Sequence, residues 1–268
     1  LYEVALIGAG NMGEAMLKGW LESGLLKDSD IAVSEKDEAK ARLIKERYRV
    51  DSDVVITSAA SEARTVVVAV KPQDSRVVLQ EIAGAVDSEK TVLSIVAGLP
   101  LGTIRDRLGP EPTLVRAMPN LAARVRAAVT AYAIDEGTGR SDRKTVENLL
   151  GVIGEVVEVE DDCMDLVTAL SGSGPAYFFL LAEALEEAGV KRGLTREISS
   201  RLARETLWGA AKTLKETGIE AGELRAAVSS PGGTTLAALE ELESSGFAKM
   251  IDNAVGAARK RAAELTQR

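Results

Sequence analysis

The chain has 268 residues, with 33 Lys plus Arg against 41 Asp plus Glu for a net charge of −8, one cysteine and no histidine. Without histidine a serine–histidine hydrolase is excluded, and with Cys163 alone neither a zinc site of the usual nitrogen and sulfur ligands nor a disulfide framework can form within one chain. The acidic balance argues against a nucleic-acid or membrane-surface partner, and the length suggests two domains of roughly 100 to 200 residues.

The first half alternates short β-branched runs with amphipathic stretches. Val4 to Ile7, Ile31 to Val33, Val66 to Val70, Val92 to Val96 and Leu114 to Ala117 predict buried strands, with Val54 to Thr57 a weaker candidate. Between them Met12 to Ser23, Glu38 to Tyr48, Asp74 to Val86 and Thr103 to Leu108 carry helical spacing. This alternation is the pattern of a parallel sheet covered by helices on both faces. Ala128 to Ile134, a helix from Ser141 to Val152, and Glu155 to Val159 extend it, so the sheet is expected to end near residue 160.

The acidic link Glu160-Asp161-Asp162 then opens a half in which Ala, Leu and Glu recur at helical spacing. Pro175 stands where a helix can begin and Gly189 marks its expected end. Thr195 starts a second helix reaching about Thr217, and two more are expected near Thr235 to Ser244 and Phe247 to Leu265. The expected division is a domain over 1–160 and an all-helical domain over 161–268. With three Phe, four Tyr and two Trp in the whole chain, so thin a helical layer is expected to complete its core against a second copy. No apolar run approaches the roughly 20 residues that span a bilayer. The chain starts at Leu1 rather than Met, so a residue or two is expected before it; no charged-then-apolar leader is read, and a cytoplasmic location is expected.

Directly after the first strand comes Gly8-Ala9-Gly10-Asn11-Met12-Gly13, with a helix opening at Met12. Gly8 makes the tight turn, Gly10 admits a pyrophosphate to the backbone, and Gly13 lets helix and strand meet closely. The helix start offers N–H groups and partial positive charge to the phosphates. The first domain is therefore expected to be a doubly wound, Rossmann-type dinucleotide-binding sheet. The adenosine ribose should be read about 20 residues on, at Ser34-Glu35-Lys36. There Glu35 favours the ribose hydroxyls of NAD, whereas Ser34 and Lys36 suit the 2′-phosphate of NADP. Ala69-Val70-Lys71-Pro72, Ala97-Gly98 and Met118-Pro119-Asn120 also leave the carboxyl ends of strands, where ligands of such sheets bind. Taken singly, Lys71 reads as a surface lysine and Asn120 as a turn or helix cap.

Within the helical half, Ser229-Ser230-Pro231-Gly232-Gly233-Thr234-Thr235 precedes an Ala/Leu helix. An ordinary cap needs one hydroxyl; this segment gathers several hydroxyls and backbone N–H groups at one helix start, a seat for a carboxylate.

On the glycine turn, Ala69-Val70-Lys71-Pro72, Arg116-Ala117-Met118-Pro119-Asn120, Ser171-Gly172-Ser173-Gly174-Pro175-Ala176-Tyr177 and Ser230-Pro231-Gly232-Gly233-Thr234-Thr235, the chain resembles the pyrroline-5-carboxylate reductases nearly end to end. The resemblance implies reduction of a cyclic imine to proline with NADP(H), NAD(H) being the alternative, and a homodimer or higher multiple of dimers built through the helical domain. It implies that Ser230, Gly232, Gly233 and Thr234 hold the substrate carboxylate, and that Thr235 sets its hydroxyl near the ring nitrogen as the catalytic-site residue. Ser171 to Tyr177 would open the dimer helix. Gly8, Gly10, Asn11, Met12 and Gly13 match the pyrophosphate turn; Ala69, Lys71, Pro72 and Asn120 match loops lining the cofactor crevice. Glu35 departs from members that offer a neutral or basic residue to a 2′-phosphate, and the loop after Val55 lacks the Asn some members place near adenosine. Two alternatives differ in kind. A β-hydroxyacid dehydrogenase would carry a Lys about a turn into the helix after Gly-Ser-Gly, where this chain has Tyr177-Phe178-Phe179-Leu180. A non-catalytic nucleotide-sensing protein would have no use for Ser-Pro-Gly-Gly-Thr-Thr.

Overall fold

A computed structural model describes residues 1–52 and 55–266. The chain forms two compact units: Leu1–Ser173 together with the chain from Ala258 onward, and Gly174–Ala257.

The first unit runs β1 (Tyr2–Ile7), α1 (Asn11–Glu22), β2 (Ile31–Ser34), α2 (Glu38–Tyr48), α3 (Ile56–Glu62), β3 (Ala63–Val68), α4 (Pro72–Ile82), β4 (Thr91–Ser94), α5 (Leu101–Leu108), β5 (Thr113–Met118), β6 (Ala128–Ile134), α6 (Arg140–Gly151), β7 (Gly154–Glu158) and α7 (Met164–Val167). The strands form one sheet in the order β2-β1-β3-β4-β5-β6-β7. All neighbours are parallel except β5 and β6. Alternate residues of a strand face opposite ways, and the core divides accordingly. Val4, Leu6, Val67 and Leu93 pack with Met16, Leu17 and Trp20 on one face, while Ile7, Val66, Val68 and Val92 pack with Val78, Leu79 and Ile82 on the other. Each such side chain contributes about 1.5–3 kcal/mol by leaving water, which is why β-branched runs here become central strands. The indole Nε1–H of Trp20 donates to the Leu149 carbonyl at 2.9 Å, so its burial strands no polar group.

The chain passes from β1 to β2 on one side and reaches β3 on the other, so the order reverses at β1. A crevice therefore opens beyond the carboxyl ends of β1 and β3.

Several expectations shift. Of the weak strand candidate, Val54 lies outside the described residues, and Ile56 and Thr57 start the helix α3 instead. The deciding interaction is tertiary: Ala59 and Ala60 are buried, and Ala59 packs with Ala5 and Ala32 of β1 and β2. Strand β3 stops at Val68, leaving Ala69 and Val70 in the loop, and α4 begins at Pro72, whose missing N–H costs nothing in a first turn.

The acidic link at Glu160 is a folded part of the first unit. Asp161–Cys163 make a 3₁₀ turn, α7 follows, and Thr168–Gly172 form a π-helical turn in which the Ser173 N–H donates to the Thr168 carbonyl at 2.8 Å. Arg116 of β5 is buried and holds this stretch to the sheet, its guanidinium 2.9 Å from Asp161 and 3.7 Å from Asp165.

The second unit is helical: α8 (Gly174–Lys191), α9 (Arg196–Thr217), α10 (Ala221–Ala227), α11 (Thr234–Ser244) and α12 (Phe247–Thr266), the last turns of α12 belonging to the first unit. The Thr195 hydroxyl caps α9 by accepting the Ile198 N–H at 3.3 Å. Gly189 does not end its helix, because α8 continues to Lys191. A Cβ there would stand 2.4 Å from the Ser199 hydroxyl, so this glycine serves the close approach of α8 and α9. Helix α10 has no counterpart among the expected elements. Little of this unit is buried: one residue of α8, two of α9 and none of α10 or α11. Phe178, Leu180 and Trp208 remain 57%, 66% and 62% exposed, far more than a self-contained core would leave open.

Candidate active site

Gly8 adopts φ +89°, a left-handed conformation that favours glycine, and a Cβ on it would meet the Ala69 carbonyl oxygen at 2.9 Å. Its N–H donates to Ser34 at 2.8 Å, and the Ala69 N–H donates to Ile7 at 2.8 Å, tying the turn to the ends of β2 and β3. Gly13 is buried, with no room for a side chain against the Gly8 carbonyl. Gly10 is the reverse: a Cβ there would meet nothing within 4 Å. It precedes α1, which no side chain caps, so the first-turn N–H groups and the helix dipole face an open space. Asn11 and Met12 form that first turn. A pyrophosphate fits this arrangement: it needs donors, positive potential and an absent Cβ, and all three occur at one point.

Beside the turn, Glu35 points inward. Its Oε2 accepts the Ala9 N–H at 2.9 Å and its Oε1 the Asp37 N–H at 3.2 Å, while the Lys40 ammonium stands 3.5 Å away. Lys36 is directed elsewhere, onto Asp74 at 2.8 Å, and that hydrogen bond raises its pKa above the ordinary lysine value. Ser34 ends β2, paired with Ile7. A depression of about 510 Å³ adjoins Glu35, lined also by Glu38, Arg42, Lys45, Ser52 and Val55.

The other expected cofactor residues border the same edge of the sheet. Val70 and Lys71 continue the loop from β3, with Lys71 and Pro72 initiating α4 and Lys71 exposed to solvent. Ala97 and Gly98 follow β4; Gly98 takes φ +72°, and its missing side chain leaves room for the Leu265 backbone of α12. Asn120 after β5 acts as a cap, its Oδ1 accepting the Ala122 N–H at 3.2 Å, and its Nδ2 also donates to the Ser171 hydroxyl at 3.4 Å. The sheet thus gathers the loops of β1, β2 and β3 into one cluster, with those of β4 and β5 farther along its edge. Sequence reasoning missed the roles of Ala9, Lys40 and Asp74. Only Asp74, two residues into the helix that Pro72 starts, carried a local signal.

In the second unit, the Gly233 N–H donates to the Ser230 carbonyl at 2.9 Å and Gly232 takes φ +69°. With Pro231 at its second position and a left-handed glycine at its third, this is a type II turn. A side chain on Gly233 would collide with the Ser230 hydroxyl, which sits 2.6 Å from the Cβ position. The turn delivers the chain into α11, and no side chain caps that helix. Ser230 and Thr234 are exposed and Thr235 is half-buried. Ser229 serves the preceding helix instead, its hydroxyl donating to the Arg225 carbonyl at 2.6 Å to close α10. Ser230 to Thr235 therefore offer an anion seat of uncapped first-turn amides beside hydroxyls.

Comparison with known proteins bears on both units. A family model described as pyrroline-5-carboxylate reductase dimerisation matches residues 161–265, and one described as NADP oxidoreductase coenzyme F420-dependent matches residues 3–98. A pyrroline-5-carboxylate reductase of Mycobacterium tuberculosis is 40% identical, over 98% of this chain and 96% of its own. The structure of a pyrroline-5-carboxylate reductase from Coxiella burnetii superposes with a TM-score of 0.94 at 34% identity, covering 99% of this chain and 98% of its own. The pyrroline carboxylate reductase of Plasmodium falciparum with NADP bound gives 0.86 at 29% identity, covering 99% and 98%.

Proposed function

The chain belongs to the pyrroline-5-carboxylate reductase family, and we propose that Ser230 to Thr235 seat the carboxylate of its substrate while the loops after β1, β2 and β3, with Ala97, Gly98 and Asn120, line the cofactor crevice. It is an oxidoreductase that reduces the cyclic imine 1-pyrroline-5-carboxylate to L-proline, the final step of proline biosynthesis, with NADP(H) as cofactor and a helical dimerisation domain. We also place it in the cytoplasm and assign substrate binding and dimerisation to residues 161–268; no helix among the described residues is long and apolar enough to cross a membrane.

When bound, the reduced nicotinamide supplies a hydride from C4 to C5 of the imine. The protein's contribution is positional. Gly8, Gly10 and Gly13 with the first turn of α1 hold the pyrophosphate, and Ala69 to Pro72 form the adjoining wall. The uncapped start of α11 takes the carboxylate, fixing one end of the substrate ring. Alignment of this kind contributes several kcal/mol, up to about 7–11, without a strong acid. None is needed, because an imine that arrives protonated is already electrophilic. Thr235 donates to a neutral imine nitrogen or accepts from a protonated one, but a hydroxyl is a poor proton source near neutral pH. Its role is support.

The observation that carries this reading is the uncapped helix behind a type II turn of Ser-Pro-Gly-Gly, which binding of a nucleotide alone would not require. The experiment is turnover of NADPH by pyrroline-5-carboxylate in wild type and Thr235→Ala. Wild type should turn over and the variant should keep activity, reduced by about 10- to 10³-fold in kcat; a loss beyond about 10⁴-fold, the upper range for a general acid, would overturn the supporting role.

A further inference from the structure

We propose that Glu35 is a specificity-determining residue of the cofactor crevice, and that through it this chain binds NADH at least as tightly as NADPH. The inference rests on the crevice assigned above. Glu35 follows β2, where sheets of this kind read the adenosine ribose. Its side chain is only 9% exposed and is fixed by groups from two directions, the Ala9 N–H of the glycine turn on one side and, on the other, the N–H of Asp37, which caps α2, with the Lys40 ammonium in its first turn. The carboxylate therefore lies against the turn that takes the pyrophosphate, rather than swinging in solvent.

A ribose with two free hydroxyls donates hydrogen bonds to a carboxylate. A 2′-phosphate brings further negative charge to the same place and meets repulsion in a partly desolvated setting. The two lysines nearest in sequence do not offset this, since Lys36 is paired with Asp74 and Lys40 with Glu35 itself. Arg42 and Lys45 line the adjoining depression, but in company with Glu35 and Glu38. To admit NADPH, the Glu35 carboxylate must leave the Ala9 amide or share its site with a second anion. NADH requires neither.

The test is equilibrium titration of wild type, Glu35→Gln and Glu35→Ser with NADPH and with NADH in the absence of substrate, followed by nucleotide fluorescence, with circular dichroism to check folding. In wild type the Kd for NADH should equal or lie below that for NADPH. Glu35→Ser should shift the ratio of the two toward NADPH by tenfold or more, with Glu35→Gln, which keeps the shape and loses the charge, shifting it the same way. Binding of both nucleotides with a ratio unmoved by either substitution, or a wild type holding NADPH clearly more tightly, overturns the role of Glu35 alone. Failure of folded wild type to bind either nucleotide overturns the crevice and this inference together.

Discussion

A Cβ atom on Gly13 would stand 2.3 Å from the carbonyl oxygen of Gly8, closer than side-chain carbons come to backbone. The two glycines are one device: Gly8 turns the chain back at φ +89° and Gly13 receives that turn against the helix. Gly10, between them, is held to a different requirement, because a Cβ there would meet nothing within 4 Å.

Gly13→Ala must push the turn away from α1, so a stability loss of about 1–3 kcal/mol is expected together with weaker nucleotide binding. Gly10→Ala should leave stability within about 0.5 kcal/mol of wild type and still lose NADPH affinity, because its methyl enters the space proposed for the pyrophosphate. Urea unfolding and nucleotide titration on the two variants separate these effects; equal stability losses would contradict the division of labour.

Gly232 sits at φ +69° in the turn that precedes α11. Gly232→Ala should cost roughly 1–2 kcal/mol at that turn and disturb the proposed carboxylate seat. Steady-state kinetics should show KM for pyrroline-5-carboxylate rising about tenfold with the Kd for NADPH unchanged, a tenfold change being about 1.4 kcal/mol.

The exposed apolar face of α8 gives a prediction about assembly. Leu180 is 66% exposed in the isolated chain, so Leu180→Asp would be tolerated by a monomer. In a dimer it would place a charge in an apolar interface. Light scattering should report a mass near 28.3 kDa for the variant and a multiple of it for wild type.

Glu158 titrates below the usual carboxylate value, chiefly because the Arg143 guanidinium hydrogen-bonds its ionised form, with the Tyr132 hydroxyl acting in the same direction. A carboxylate held low in the folded state contributes stability that is present above its unfolded value near 4.5 and lost as pH falls through the folded one. The side chain is 47% exposed, so screening limits the contribution to under about 1 kcal/mol. Urea unfolding across the acid range should show wild type losing more stability than Glu158→Gln below that value, and added salt should shrink the difference. An equal loss in both proteins would remove the ion pair from the account.

Much of the local structure around the candidate site could be read from local pattern, because its parts are short-range structures. A strand followed by Gly8, Gly10 and Gly13 can make one kind of turn, and Ser230 to Thr235 carry the residues that a type II turn and a helix start require. The α2 helix, Glu38–Tyr48, was legible to the residue because Asp37 caps it through the Ala39 and Lys40 N–H groups. Helix α3 was not, since its register depends on Ala59 meeting Ala5 and Ala32, which are distant in sequence. Gly189 looked like a stop because glycine commonly is one, and only the approach of Ser199 shows why it is there.

The sequence by itself determined the alternation of strand and helix, the glycine turn after β1, the Ser-Pro-Gly-Gly turn before α11 and, through the absence of histidine, a reaction that does without an imidazole. These follow from φ/ψ preferences, hydrophobic period and side-chain chemistry, all of which act within a few residues. Tertiary structure alone decided which way Glu35 faces, where Lys36 and Lys40 spend their charge, and that Arg116 binds the acidic link to the sheet. Apart from the Lys40–Glu35 pair, which spans five residues, those outcomes depend on atoms brought together from 26 to 49 residues apart, such as Ala9 with Glu35, Lys36 with Asp74, and Arg116 with Asp161 and Asp165, and no local pattern encodes such distances.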